Sequence, residues 1–275
     1  MKVKNFLKSE LVFLAILVSL FSVNTLSAQV KKVVVGVAPG PYGDLFKDAI
    51  EPGLKQKGYT VTYTQFSDYV QPNLALSNKA INVNLFQHGT YLKKFSADKG
   101  LKLSELISVP TASLGIYSNK FKTISEIKDG STITIPNDAT NLARALIYLE
   151  SAGLIKIKPN IDPTKASERD ITENPKKLKF KPIEAAQIPR TVDSVDVAVA
   201  NGNFAISAGI YEKAIDRETL IPEYVNVIAV RTEDLDEQFV KDIKEIVLSD
   251  AFAKVINDPT KIYKDFQKPT WWGNR

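Results

Sequence analysis

Short apolar runs alternate with stretches of helical periodicity along most of the chain. The run at 33–37 is rich in β-branched residues, which predicts a strand buried on both faces of a sheet. An apolar spacing of four from Phe46 to Leu54 predicts a helix that ends at Gly58. The segment 61–66 then predicts a second strand. This order of strand, helix and strand is the unit from which open α/β sheets are built.

The same pattern recurs further along the chain. It predicts, in order, a strand at 133–135, a helix at 139–152 closed by Gly153, strands at 195–200 and 225–230, and a helix at 237–255. Strands that alternate with helices indicate an α/β fold. A second unit begins after Tyr117, and the strand near Val225 is placed to return to the first. We therefore expect two lobes, with residues 29–112 plus 226–275 in lobe 1 and residues 113–225 in lobe 2.

The N-terminal segment has the pattern of an export signal. Lys2, Lys4 and Lys8 precede an apolar run at 11–21, and small or polar residues follow up to Ala28. The run is shorter than the roughly 20 apolar residues that a helix needs to cross a bilayer. We expect residues 1–28 to be a signal peptide cleaved after Ala28. A buried N-terminal helix is the alternative interpretation.

The composition excludes several kinds of site. The 275 residues include no cysteine and one histidine, so disulfides, thiolate metal sites and multi-histidine metal sites are not available. The formal charge is +5, but 36 basic residues are spread along the chain among 31 acidic ones. A nucleic-acid surface needs clustered basic charge, so no nucleic-acid partner is expected. No catalytic, metal or cofactor-binding motif is present.

The segment after the predicted strand at 133–135 suits an anionic ligand. Asp138 and its polar neighbours are candidate helix caps, and Asn141 and Arg144 are three residues apart, so they share one face of the helix. The helix N-terminus is electropositive and a guanidinium offers two parallel donors, which together suit a carboxylate. A surface arginine beside a plain helix cap would give the same pattern.

Other candidate residues also lie where predicted strands end. His88 has Phe86 and Tyr91 close to it in sequence, and Tyr69 follows the second strand at the sheet edge where α/β sites usually lie. A partly buried, hydrogen-bonded histidine explains the first pattern, and a general base would need a nucleophile motif that is absent. Asn201 ends another strand, where a simple Asn-Gly turn is the alternative.

Eight segments considered together resemble one known family. In chain order they are Gly40–Gly43, Phe66–Asn73, Asn84–His88, Pro136–Leu146, Glu173–Lys176, Gln187–Arg190, Asn201–Ala205 and Tyr224–Asn226. This series resembles the NlpA family, the methionine-binding lipoproteins of ABC importers, from about Lys32 to the C-terminus. Each segment alone is weak evidence for the family, but eight segments in the same order are specific evidence for it.

The resemblance implies a periplasmic-binding-protein fold of two α/β lobes that enclose a free amino acid, usually methionine. It implies a ligand-binding residue at eight positions. Arg144 and Asn141 would hold the ligand carboxylate, Asn201 and Asn226 would hold the amino-acid backbone, and the wall of the side-chain pocket would be Tyr69, Phe86, His88 and Tyr91. Buried carboxylates need a charged partner, and thioethers pack well on aromatic rings.

The implied function is that of a monomeric, non-enzymatic solute-binding protein without a cofactor. It would capture methionine outside the cytoplasmic membrane and dock on an ABC permease in that membrane. Alternative ligands are D-methionine, another apolar amino acid or a methionine-containing dipeptide. Two alternative classes are an exported hydrolase and a surface adhesion protein.

One position departs from the family pattern. Leu26, Ser27 and Ala28 fit a lipoprotein signal, but Gln29 stands where the family has the cysteine that carries the lipid. Without a thiol this position cannot form the thioether to diacylglycerol. The sequence therefore predicts an exported protein that is periplasmic or membrane-associated, and lipidation is in doubt.

Overall fold

The computed structural model describes residues 31–274. From Lys32 onward the chain forms one compact unit. The predicted signal peptide at 1–28 and the departure at Gln29 lie outside the described residues. Within residues 31–274, no helix combines the length and the hydropathy that crossing a membrane requires.

Strands and helices alternate along the described chain. The strands are β1 (Lys31–Val37), β2 (Tyr59–Gln65), β3 (Val83–His88), β4 (Leu103–Ser108), β5 (Gly115–Tyr117), β6 (Thr132–Pro136), β7 (Lys156–Ile157), β8 (Ile171–Glu173), β9 (Lys179–Ile183), β10 (Val197–Ala200), β11 (Asp216–Arg217) and β12 (Asn226–Arg231). The α-helices are α1 (Tyr42–Ala49), α2 (Glu51–Gln56), α3 (Gln71–Ser77), α4 (Gly89–Lys99), α5 (Ala139–Ser151), α6 (Gly202–Ser207), α7 (Gln238–Val247) and α8 (Asp250–Ile256). Short 3-10 turns join many of them.

The strands form two main sheets, one in each lobe. Among the described residues, the first sheet has the order β2-β1-β3-β12-β4 and the second has the order β11-β5-β10-β6-β9, with β7 and β8 as a separate pair. The chain passes from the first sheet to the second after β4 and returns through β12. The predicted α/β class and the two-lobed architecture are confirmed, whereas the exact lobe boundaries stay a prediction.

Two predicted helices are each interrupted. The helix expected to run to Gly58 breaks at Ile50 into α1 and α2. Pro52 lies in the first turn of α2, where its missing N–H needs no partner, so it starts a helix more readily than it continues one. The helix expected at 237–255 divides into α7 and α8. Ser249 caps α8 through its side chain, which accepts the N–H of Phe252 and favours a new start there.

The topology brings the ends of several strands to one place. β1 and β3 are parallel in the first sheet, and β6 and β10 are parallel in the second. Ligands of open α/β sheets bind outside the carboxyl ends of such strands. β12 runs antiparallel to β3, and its first residue, Asn226, pairs with His88 at the end of β3. The segments that follow these strands therefore meet between the two sheets.

Candidate functional site

A cavity lies where the strand ends meet. All eight residues predicted for the ligand site line it: Tyr69, Phe86, His88, Tyr91, Asn141, Arg144, Asn201 and Asn226. It is also lined by Tyr42, Gln87, Ala112, Gly202 and Asn203. The structure thus brings the predicted residues into one cavity, and their individual roles stay predictions.

Arg144 supplies the positive charge of the cavity. It projects from α5 and is 4% exposed. Its Nε lies 2.9 Å from a carboxylate oxygen of Glu218, and its Nη2 also donates to that oxygen. Burial acts to lower the pKa of Arg144, but Glu218 offsets this and the net pKa is raised, so the guanidinium stays charged. Within the described residues Glu218 accepts the N–H of Nε and one N–H of Nη2, which leaves both N–H groups of Nη1 and one of Nη2 for a ligand.

The carboxylate of Asp138 determines how Asn141 is oriented. Asp138 is the N-cap of α5 and accepts the backbone N–H of Asn141 at 3.0 Å. It also accepts the side-chain Nδ2 of Asn141, at 3.0 Å to Oδ2. Because a carboxylate only accepts, the amide NH2 of Asn141 must face Asp138. The Oδ1 of Asn141 is therefore turned towards the opposite side, where His88 and Asn201 lie.

This orientation assigns the tautomer of His88. Its Nδ1 accepts the N–H of Tyr91 at 3.1 Å and caps α4, and its Nε2 lies 3.2 Å from Oδ1 of Asn141. Since Oδ1 accepts, Nε2 carries the proton. Burial, together with the charge of Arg144, lowers the pKa of His88 to about 3. The ring is neutral near pH 7, which fits the interpretation of a buried, hydrogen-bonded histidine.

Asn201 and Asn226 keep hydrogen-bonding capacity for a ligand. Asn201 donates its Nδ2 to Oδ1 of Asn141 at 2.8 Å. Its own Oδ1 is buried and has no hydrogen-bond partner among the described residues. The backbone of Asn226 bonds to the crossover segment through Thr111 Oγ1 and the N–H of Val109. Its side-chain amide, by contrast, has no hydrogen bond within residues 31–274. Both amides line the cavity.

Aromatic residues of the cavity lining pack together, and we call them its aromatic end. Tyr69 packs on Phe86 at a ring-centroid distance of 5.7 Å and on Tyr91 at 5.9 Å. Phe204 stacks on Tyr69 from the other lobe at 4.9 Å. The hydroxyl of Tyr69 donates to Oδ1 of Asn203 at 2.6 Å, and the hydroxyl of Tyr91 donates to the carbonyl of Tyr69 at 3.1 Å. Both hydroxyl hydrogens are therefore used within the protein.

A buried amide cluster supports this end. Asn73 and Gln87 exchange two side-chain hydrogen bonds, each 2.7 Å long, and Asn84 bonds to both. All three are at most 3% exposed. Fully paired buried amides hold a single arrangement because any other would leave polar groups unpaired. The cluster ties α3 to β3, the strand that carries Phe86 and His88.

Sequence reasoning missed several residues at the site. Glu218 lies 74 positions after Arg144 with no motif around it, so only the fold could pair the two. Tyr224, whose ring centroid is 5.3 Å from the Arg144 guanidinium carbon, and Tyr42 belong to segments already singled out, but neither was assigned a role. In the described part of the chain, no cluster of acidic or histidine side chains could hold a metal ion.

Comparisons with known proteins find one matching family. The family model described as NlpA lipoprotein matches residues 33–271. The D-methionine-binding lipoprotein MetQ of Salmonella typhi is 37% identical over 227 residues, which cover 81% of this chain and 83% of the relative.

Two solved structures are also similar to this chain. A nutrient-binding protein from Burkholderia cenocepacia bound to methionine is 35% identical with a TM-score of 0.78, and the match covers 84% of this chain and 98% of that one. The methionine-binding protein MetQ is also 35% identical, with a TM-score of 0.77 and coverage of 82% and 94%.

Proposed function

This chain belongs to the NlpA lipoprotein family, and we propose that it is a solute-binding protein that captures methionine for an ABC importer. The observation that carries the proposal is that one cavity is lined by two kinds of residue: Arg144 with the amides of Asn141, Asn201 and Asn226, here its polar end, and the aromatic end. An apolar α-amino acid has the same two parts. Names of similar proteins that bind methionine support the choice of ligand.

The polar end suits the backbone of a free amino acid. Nη1 of Arg144 is available to a carboxylate, and Oδ1 of Asn201 is an acceptor available to an ammonium group. Asn226 has an unbonded amide at the same cavity, which Asn141 also lines. Since Arg144 and Glu218 cancel in charge, the polar end matches a zwitterion better than a ligand with net charge.

The aromatic end suits an unbranched thioether. Tyr69, Phe86, His88 and Tyr91 line the cavity, and the three apart from His88 belong to one buried aromatic cluster. A polarizable sulfur gains about 0.3–1.5 kcal/mol from each favourable contact with an aromatic ring. The neutral state of His88 keeps a second charge out of this end.

We assign residues 29–112 plus 226–275 to lobe 1 and residues 113–225 to lobe 2, in line with the strand content of the two sheets. The protein acts as an exported monomer that docks on the permease of its importer, with no cofactor and no nucleic acid. It is periplasmic or membrane-associated, and Gln29 argues against the family's lipid anchor. The family is a substrate-binding family and not an enzyme family. We propose that this chain likewise has no catalytic activity.

The test is isothermal calorimetry on protein that has been unfolded, stripped of ligand and refolded. L-methionine, D-methionine, leucine and a methionine-containing dipeptide are titrated separately. We expect methionine to bind most tightly and, at 100 times its Kd, to add about 2.7 kcal/mol to the free energy of unfolding. Tighter binding of leucine or the dipeptide would move the assignment to another ligand of the same class.

Absence of binding to all four ligands would contradict the proposal. Turnover of an ester or peptide that is lost in His88→Ala but kept in Arg144→Ala would favour an exported hydrolase instead. The hydrogen bonds of His88 argue against that outcome, because they join it to Tyr91 N–H and Asn141 Oδ1 and to no nucleophile.

A further inference from the structure

The segment Gly40–Gly43 belongs to the motifs singled out in the sequence, but the proposed function gives it no role. It joins β1 to α1 at the edge of the cavity. Gly40 has a φ of +123°, and a Cβ there would lie 2.6 Å from the carbonyl oxygen of Asn203 in the other lobe. Only glycine fits this close approach. Two residues further on, Tyr42 is the first residue of α1 and lines the cavity.

The hydroxyl of Tyr42 has an uncommitted hydrogen. Tyr42 is 3% exposed, and its oxygen accepts the N–H of Ala112 at 3.1 Å. No hydrogen bond of normal geometry within residues 31–274 uses the hydroxyl hydrogen, and the Thr111 hydroxyl is close enough to lower the pKa of Tyr42 slightly. The neighbouring hydroxyl of Thr111 already donates to the carbonyl of Val109 and accepts the N–H of Asn226. Burial raises the pKa of Tyr42 more than the Ala112 N–H and the Arg144 charge lower it, so the hydroxyl keeps its proton.

Two other tyrosines of the cavity differ from Tyr42 in this respect. Tyr69 and Tyr91 donate their hydroxyl hydrogens to protein acceptors. Tyr42 therefore contributes a buried donor that still lacks an acceptor, at a cavity that also contains Arg144. A buried donor without a partner is costly unless a ligand supplies the acceptor.

A ligand carboxylate would need such a donor. Its two oxygens offer about four acceptor sites, and burying them without partners is unfavourable. Glu218 takes the N–H of Nε and one N–H of Nη2, so Arg144 has three N–H groups left for the ligand, fewer than the four acceptor sites of a carboxylate.

We propose that Tyr42 is a further ligand-binding residue, whose hydroxyl donates to the ligand carboxylate together with Arg144. The proposal rests on the proposed function, because it requires an amino-acid ligand. It assigns a binding role to the Gly40–Gly43 segment: Gly40 allows the close approach between the lobes, and Tyr42 supplies the donor.

The chain offers a matched control in Tyr211. Its hydroxyl accepts the N–H of Ser113 at 3.3 Å, one residue along from the bond between Ala112 and Tyr42. Tyr211 is also buried, at 4% exposure, but it does not line the cavity. Both Tyr42→Phe and Tyr211→Phe remove one acceptor from a crossover N–H, and only the first removes a donor from the cavity.

The experiment is calorimetry of the wild type and both variants with L-methionine. We expect Tyr42→Phe to weaken binding about tenfold or more, the size of a hydrogen bond to a charged group, and Tyr211→Phe to stay within about twofold. Binding of Tyr42→Phe within twofold of the wild type, or equal losses in both variants, would overturn the proposal. If the wild type does not bind methionine, the proposed function itself fails, which is a separate result.

A second measurement covers the case in which Tyr42→Phe does not fold. Tyrosine uniformly labelled with ¹³C is incorporated into the wild type, and the Cζ signals of Tyr42 and Tyr211 are assigned among those of the ten tyrosines by sequential NMR methods. Donation to a carboxylate should shift the Tyr42 signal when methionine is added, whereas the Tyr211 signal should stay in place. An unshifted Tyr42 signal in the methionine complex would contradict the proposal.

Discussion

The two ends of the cavity differ in how much of their hydrogen-bonding capacity the protein itself uses. At the polar end, Oδ1 of Asn201 has no partner in the described chain, and Nη1 of Arg144 is left over after Glu218 is paired. At the aromatic end, the hydroxyls of Tyr69 and Tyr91 are both committed as donors. The polar end therefore offers hydrogen bonds to polar groups of a ligand, whereas the aromatic end has no free donor to offer them.

The difference has a physical basis in the cost of unpaired polar atoms. A buried donor or acceptor without a partner costs about 1–3 kcal/mol, so a ligand that pairs the free atoms gains affinity. Where every protein donor is already paired, a polar ligand atom has no partner and the same cost falls on the ligand. Specificity for an apolar amino acid therefore needs both ends, because one recognises the backbone and the other selects the side chain.

The largest expected effect tests the polar end. Removing Arg144 alone would leave Glu218 buried without its partner, so the test is the double variant Arg144→Met with Glu218→Gln. We expect the protein to fold and methionine affinity to fall more than about 100-fold, since a desolvated carboxylate loses its charged partner at a cost of about 3–5 kcal/mol. Calorimetry measures the loss, with the exposed Arg190→Met as the control. Binding within tenfold of the wild type would show that the carboxylate lies elsewhere.

An intermediate effect is expected when the ligand's side chain becomes polar. Methionine sulfoxide keeps the backbone of methionine but places an oxygen among donors that Tyr69, Tyr91 and His88 already use. We expect it to bind about 5- to 150-fold more weakly than methionine, which corresponds to about 1–3 kcal/mol for an unpaired polar atom. Norleucine, an apolar ligand of similar shape, is the control and should lose less. Equal affinity for methionine and its sulfoxide would show that the aromatic end does not discriminate against a polar side chain.

The smallest effect on binding is expected from pH, because His88 stays neutral. With its pKa lowered to about 3, we expect methionine affinity to be constant between pH 5 and pH 8. The free energy of unfolding should respond instead. The unfolded histidine binds a proton near its ordinary pKa of about 6.5, so stability falls as pH decreases from there towards about 3.

The variant His88→Gln isolates this contribution to stability. Denaturant titrations at several pH values should give a shallower loss of stability in the variant, by up to about 1.4 kcal/mol per pH unit. Identical pH slopes in both proteins would mean that His88 is not held neutral in the folded state. A change in methionine affinity between pH 5 and pH 8 that disappears in His88→Gln would lead to the same conclusion.

Local patterns in the sequence were sufficient for some features and insufficient for others. The strand at β1 and the cap at Asp138 followed from neighbouring residues, because burial on both faces and N-terminal capping are local requirements. The breaks at Ile50 and at Ser249 also have local causes, in Pro52 and in the serine itself. Apolar periodicity continued across both breaks and concealed them, since the packing face is the same on either side.

The candidate site divides in the same way. The sequence by itself, through the family resemblance of its motifs, identified eight of the thirteen residues that line the cavity, whereas the local patterns alone left other interpretations open. Only the tertiary structure decided which of their atoms are free. The pairing of Arg144 with Glu218 and the orientation of Asn201 through Asp138 and Asn141 depend on segments far apart in the chain. Hydrogen-bond direction is settled by whichever partner the fold brings close, and no spacing of residues encodes that.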